Sequence, residues 1–278
     1  MMPQTERLPV SVRDILKSKA PNTRVPNFLI RYLEHIIHQD EVNAIIQQNA
    51  DQFGIDFVVG GLKALDVDVQ VQGLDTLPPG RYTFAGNHPL GGIDGMATGY
   101  AVYQQFPENS IYFLSNDILS HLTNLRPLFV PINKTGTKAQ KRSLPQRITE
   151  AYESDRQMVI FPAGACSRRI KGKITELTWS KSFVQKSVET KRDIVPVYFE
   201  GKNSNFFYTL ANIRSFLGIK INFEMLYLAD EMFKQRGKTF RIVFGKPIPY
   251  QHFDGSKTYQ EWANWLSQCS SDLAKQLI

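Results

Sequence analysis

The chain has 278 residues, 42% hydrophobic and 21% charged, with a formal net charge of +7; that is enough apolar content for one large core and too much for a disordered chain. Its longest apolar runs, such as Ile111–Leu114 and Leu128–Ile132, fall far short of the roughly 20 residues a spanning helix requires, which excludes helical channels and transporters. Cys166 and Cys269 stand far apart with no CxxC pairing, which excludes a disulfide framework and a zinc site and predicts reduced thiols.

No apolar h-region or cleavage site follows the N-terminal MMPQTERLPV, so a cytoplasmic location is expected. Residues 11–65 are predicted helical, because Phe28, Leu29, Tyr32, Leu33, Ile36 and Ile37, and then Val42, Ile45 and Ile46, recur at helical spacing. This defines an amphipathic helical N-terminal region, residues 1–65, packed on the domain that follows, residues 66–278. Gly60-Gly61 marks a point where a third helix bends or begins. Val67, Val69 and Val71 then alternate with polar residues as in a strand, and LPPG at 77–80 turns the chain.

Short apolar runs alternate with helical stretches from there on: Tyr82–Ala85, Ile111–Leu114, Leu128–Ile132, Met158–Phe161, Ile194–Phe199 and Arg241–Phe244. Such alternation predicts an α/β sheet covered by helices. A final helix over Tyr259–Leu277 places Trp262, Trp265, Leu266 and Leu273 on one core-facing side.

The segment with the clearest chemistry is Phe84-Ala-Gly-Asn-His-Pro-Leu-Gly-Gly-Ile-Asp-Gly-Met at 84–96. It reads as a strand ending in a histidine, then a glycine-rich turn, then a carboxylate opening a helix. A neutral imidazole takes a proton from a hydroxyl near neutral pH, and a carboxylate on its other nitrogen fixes the tautomer and stabilises the imidazolium. His88 is the expected general base and Asp94 its partner; the alternative is a strand-capping histidine beside a helix-capping aspartate. His35 and His38 lack a third ligand in sequence, and no metal site is expected. Ser167 lacks the GxSxG elbow of a serine nucleophile.

Three blocks together resemble the glycerolipid, or lysophospholipid, acyltransferases, specifically their bacterial hemolysin-like branch. NHPLGGIDG at 87–95 is similar to the family's histidine-aspartate motif. Phe161-Pro-Ala-Gly-Ala-Cys-Ser-Arg-Arg at 161–169 is similar to its FPEG block, and Ile194-Val-Pro-Val-Tyr-Phe-Glu-Gly at 194–201 to its proline-bearing strand. Leu128-Phe-Val-Pro-Ile-Asn-Lys at 128–134 matches only as a strand leading into polar residues. The sequence departs from the pattern in three places. Pro89 to Ile93 make the His-Asp spacing one residue longer than is common; Ala163 takes the glutamate position and Cys166 the basic one; and Pro131-Ile132 replaces an acidic-basic pair.

The resemblance implies a glycerolipid acyltransferase-like α/β fold, a mixed sheet covered by helices. It also implies transfer of a fatty acyl group from an acyl thioester, acyl-carrier protein or acyl-CoA, to the hydroxyl of a lyso-lipid, with no other cofactor. Backbone N–H groups around the glycines would meet the oxyanion, and substrate contacts would come from Asn87, Gly91, Gly92, Lys134, Gly164, Ser167, Arg168 and Arg169. With the standard basic positions missing, Arg168 and Arg169 are expected to hold an anionic head group, either the phosphate of a lysophosphatidate-type glycerolipid or the carboxylate of a glycine or ornithine lyso-lipid.

The positive balance and the N-terminal helices predict peripheral binding at the inner face of the cytoplasmic membrane. No nucleic-acid partner is expected, because no helix concentrates basic residues. The other functions compatible with the sequence are a non-catalytic lipid-binding protein and a lipid or thioester hydrolase.

Overall fold

A computed structural model describes residues 10–19, 24–108, 110–116, 122–132 and 138–277. Its strands are β1 (Asp68–Gln72), β2 (Tyr82–Gly86), β3 (Ile111–Asn116), β4 (Phe129–Ile132), β5 (Gln157–Ile160), β6 (Arg168–Ile170), β7 (Lys173–Thr175), β8 (Asp193–Phe199) and β9 (Thr239–Phe244). Seven of them form one sheet in the order β1-β9-β8-β2-β5-β3-β4, and β6 and β7 form a separate antiparallel hairpin. Within the large sheet β8 and β9 pair antiparallel while the other pairings are parallel, so the sheet is mixed, as the resemblance implied.

Every residue of β2 and of β5 is buried, which demands helices on both faces of the sheet. On one face lie α4 (Ile55–Ala64) and α5 (Ile93–Gln105). Their Phe57, Val58, Leu62, Ile93 and Ala97 join Phe84 and Phe244 in one cluster. On the other lie α7 (Ser182–Glu189) and α10 (Tyr259–Leu273), where Trp179, Phe183, Trp262 and Leu266 pack on Ala85, Ile160 and Ile194. Burying each such side chain contributes roughly 1.5–3 kcal/mol. The start of α10 is fixed by a capping box between Thr258 and Glu261.

The N-terminal helical expectation resolves into α1 (Val12–Lys19), α2 (Asn27–Ile36), α3 (Gln39–Gln48) and α4. Val42, Ile45 and Ile46 of α3 lie against the main cluster. Gly60-Gly61 does not begin a helix, because α4 continues through it. A Cβ at Gly60 would stand 1.9 Å from Asn49 Oδ1, so any side chain there would have to displace the side chains of Asn49 and Gln52. Three further helices complete the set, α6 (Lys138–Glu153), α8 (Asn205–Phe216) and α9 (Leu228–Phe233). Among the described residues no helix is long and apolar enough to cross a membrane.

The register pairs Ala85 with Ile160 and Gly86 with Val197. The carboxyl ends of β2, β5 and β8 therefore lie side by side, and the loops after β2 and β5 leave the same edge. That edge is where ligands bind in open parallel sheets.

Candidate active site

His88 lies two residues past the end of β2 and Asp94 sits in the first turn of α5. Nδ1 of His88 stands 3.0 Å from Oδ2 of Asp94; the imidazole is 19% exposed and the carboxylate fully buried. The ring is turned enough that Nδ1 has no aligned hydrogen-bond acceptor, but charge attraction depends on distance and survives the misalignment. Such contacts are commonly loose in a free enzyme and tighten with substrate.

The longer His-Asp spacing is absorbed in the turn. Oδ2 of Asp94 accepts from the N–H groups of Leu90 and Gly91 at 2.9 and 3.2 Å, and Oδ1 accepts from Gly95 N–H at 2.9 Å. Gly91 takes φ +82°, and a Cβ on it would meet Cys166 Sγ at 2.6 Å, so both conformation and space reserve the position for glycine. These bonds also correct an expectation. The N–H groups of Leu90, Gly91 and Gly95 bind the Asp94 carboxylate and are not presented to an oxyanion.

Burial alone would raise the Asp94 carboxyl, but the imidazole of His88 and the N–H groups of Leu90 and Gly91 outweigh it and hold the group below its ordinary range. For His88 burial works downward; the Asp94 carboxylate, with a contribution from Glu176, overrides it and leaves the imidazole above its ordinary value. A carboxylate at Nδ1 selects the tautomer protonated there, leaving Nε2 as the basic nitrogen. Phe161, directly after β5, stacks on the imidazole with centroids 4.3 Å apart and planes at 21°, which fixes the plane of the ring.

Asn87 does not offer a free amide to a substrate. Its Nδ2 donates to Phe199 O at 2.9 Å and its Oδ1 accepts from Phe199 N at 2.7 Å, locking the end of β2 to β8. Gly92 precedes α5, with Met232 Sδ 3.5 Å from where its Cβ would be. Gly164 turns the loop after Phe161 at φ +67°, with open space beside it. Ser167 is buried; its N–H donates to His88 O at 3.1 Å and its hydroxyl donates to Glu176. Lys134 lies outside the described residues.

Arg168 is a correction as well. Its guanidinium donates to Cys166 O at 2.9 Å and pairs with the fully buried Glu224 at 3.2 Å, and Arg214 holds the other oxygen of Glu224 at 2.8 Å. Its charge is committed inside the fold and is not offered to a head group. Arg169, the next residue on the strand, faces the other way; it is half-buried, donates to Asn205 Oδ1 and lies 5.1 Å over the Tyr208 ring. Cys166 is buried, and burial first, with Asp94 adding, pushes its thiol up to about 12, so it fills space as a neutral group.

Three further residues support the site. Asn203 donates from Nδ2 to Pro89 O at 3.0 Å and so holds the turn after His88. Glu224 neutralises Arg168. Glu176 reaches the site from the root of the β6–β7 hairpin, where the Lys171-Gly172 turn folds it back onto Ser167.

The chain is similar to known proteins over most of its length. A family profile described as Acyltransferase matches residues 14–275. The chain is 49% identical over 260 residues to a lyso-glycine lipid O-acyltransferase of Bacteroides thetaiotaomicron, covering 92% of this chain and 94% of that one. It is 48% identical to the enzyme of the same name from Phocaeicola vulgatus, covering 92% of each chain. The crystal structure of the 1-acyl-sn-glycerophosphate (LPA) acyltransferase PlsC from Thermotoga maritima aligns with a TM-score of 0.48 and 15% identity, over 94% of this chain and 88% of that one.

Proposed function

The chain belongs to the acyltransferase family and is an O-acyltransferase; we propose that it moves a fatty acyl group from acyl-carrier protein or acyl-CoA to the hydroxyl of a lyso-glycine lipid, with His88 as general base. The near end-to-end match to two enzymes named for that acceptor is the observation that carries the reading. His88 Nε2 takes the proton of the acceptor hydroxyl while its oxygen attacks the thioester carbonyl. Asp94 stabilises the imidazolium that forms. The tetrahedral intermediate then expels the thiolate, which recovers the proton from His88, leaving an ester and a free thiol. The thioester supplies the activation, so the reaction as proposed needs no further cofactor.

The deciding assay incubates purified protein with acyl-carrier-protein or acyl-CoA thioester and either lyso-glycine lipid or lysophosphatidate, following thiol release and lipid product. Esterified glycine lipid is expected. Product formed only from lysophosphatidate would overturn the acceptor assignment, and thiol released without lipid product would indicate hydrolysis.

A glycine head group presents a carboxylate, and Arg169 is the member of the arginine pair whose charge is not buried in an ion pair. A charge-assisted contact of this kind is worth roughly 1.5–3 kcal/mol. Arg169→Ala should therefore raise the apparent KM for acceptor by about 10-fold with little change in kcat or donor KM, as expected when binding is equal in ground and transition states. Unchanged acceptor kinetics would remove Arg169 from the head-group site.

A membrane-facing surface supports access to such a lipid at the inner face of the cytoplasmic membrane. Phe28 on α2 is 75% exposed, Phe216 at the end of α8 is 90% exposed and Ile221 is 76% exposed, a costly display for residues that nothing else among the described residues covers. The hydroxyls of Tyr32 and Tyr227 are hydrogen-bonded and Phe206 packs on Tyr227 at 5.0 Å, joining α2 to the segment after α8. Phe216→Ser with Ile221→Ser should weaken binding to anionic vesicles by about 10-fold or more, since each residue loses part of its burial in lipid. Unaltered vesicle binding would assign the contact to another face.

A further inference from the structure

We propose that Ser167 and Glu176, facing one another at the root of the β6–β7 hairpin, clamp the main chain of His88 and place a second negative charge beside its ring. The idea rests on His88 acting as base. The hairpin register pairs Arg168 with Thr175, so the residues just outside it meet at its root, where the Ser167 hydroxyl donates to Oε1 of Glu176. Ser167 N–H donates to His88 O at 3.1 Å, and the His88 N–H faces the Glu176 carboxylate. Ser167 thus holds the carbonyl of His88 while Glu176 lies at its N–H, and the two residues also hold each other. Oε2 of Glu176 is buried with no aligned hydrogen-bond partner.

A buried carboxylate with an unsatisfied oxygen is costly, and its own titration reflects that. Burial pushes the Glu176 carboxyl up, and the Ser167 hydroxyl, the His88 N–H and the imidazole only partly offset it, with Asp94 adding upward pressure. A neutral residue could close the hairpin without this cost. What a carboxylate adds is attraction for the imidazolium that exists only after the hydroxyl proton has moved. The charged and titratable groups around the pair are Asp94 on α5, which faces His88 directly, the neutral thiol of Cys166, Arg168 tied to Glu224, and Tyr198 on β8, whose hydroxyl is pushed up mainly by burial. Arg168 is the cation among them, and its partner is Glu224.

Glu176→Gln keeps the shape and the acceptor oxygen for Ser167 while removing the charge. The His88 imidazole, followed by NMR and assigned by its disappearance in His88→Ala, is expected to titrate at lower pH in Glu176→Gln than in the wild type. Transfer should fall by about 10-fold in kcat with acceptor KM held within about twofold, the pattern of a misplaced base. Ser167→Ala keeps the charge and the Ser167 N–H to His88 but removes the hydroxyl bond that ties Glu176 to Ser167; it should lower kcat in the same way, and it carries the test should Glu176→Gln not fold. Coincident His88 titration in Glu176→Gln, or wild-type kcat in a folded Ser167→Ala, would overturn the clamp. A His88→Ala enzyme that still turns over would instead sink the general-base reading, and the titration would still report whether Glu176 bears on the ring.

Discussion

His88→Ala is expected to lower kcat for acyl transfer by roughly 10²- to 10⁴-fold while leaving the thermal melt near that of the wild type, because loss of a general base acts in the transition state. The partly exposed imidazole has few structural duties: Asp94 keeps its three N–H donors, and Phe161 loses one stacking contact. The pH profile tests the same assignment from another side. Asp94 and Glu176 hold the imidazole above its ordinary value, and the base works only when neutral. The acid limb of kcat/KM should therefore lie above the ordinary imidazole range, rising as pH increases through it. Asp94→Asn should move that limb to lower pH and depress the plateau. A folded His88→Ala enzyme with wild-type turnover, or an acid limb at or below the ordinary imidazole value, would exclude His88 as the base.

Glu224→Ala is expected to destabilise the fold by roughly 3–5 kcal/mol, the scale for breaking a buried ion pair from one side. Glu224 is fully buried and bridges Arg168 at 3.2 Å and Arg214 at 2.8 Å, so its removal leaves two guanidinium groups facing each other without an anion. Against a total stability of about 5–15 kcal/mol for a typical domain, this is a large fraction. Urea unfolding with an unchanged slope and a midpoint shifted far to lower concentration is the expected result. A loss below about 1 kcal/mol would mean that water reaches the arginines and the bridge is incidental. The same bridge changes what Arg168→Ala should do. The sequence led us to expect a raised acceptor KM, whereas the structure predicts lower stability, with the acceptor effect belonging to Arg169.

The sheet was largely readable from the chain because each strand of the large sheet combines a short apolar run with polar punctuation, and β2 through Gly86 sets His88 at a strand end. The pairing of His88 with Asp94 was readable too, since it is local. The orientation of Arg168 was not. Neighbouring strand residues face opposite ways, and only the three-residue β6, too short to leave a periodic trace, decides which arginine turns inward. Glu176 was invisible for a related reason: its place beside His88 depends on the hairpin register and not on any spacing along the chain. In α2 the apolar stripe was visible, but periodicity reports that a face exists and not what covers it. Phe28, Leu29 and Tyr32 lie on the outside.

The ties around His88 also impose an order on the growing chain. The sequence from 87 to 95 contains the proposed base, its partner and the glycine turn, yet Asn87 is fastened to Phe199, Pro89 to Asn203, and the segment holding Ser167 to Glu224 through Arg168. Contacts between such distant positions form late because long loops must close first. A nascent chain that has delivered every residue of the histidine-aspartate segment would still lack a fixed imidazole until the region through Glu224 has emerged and docked. The half-made protein would thus hold the segment without its working geometry during synthesis.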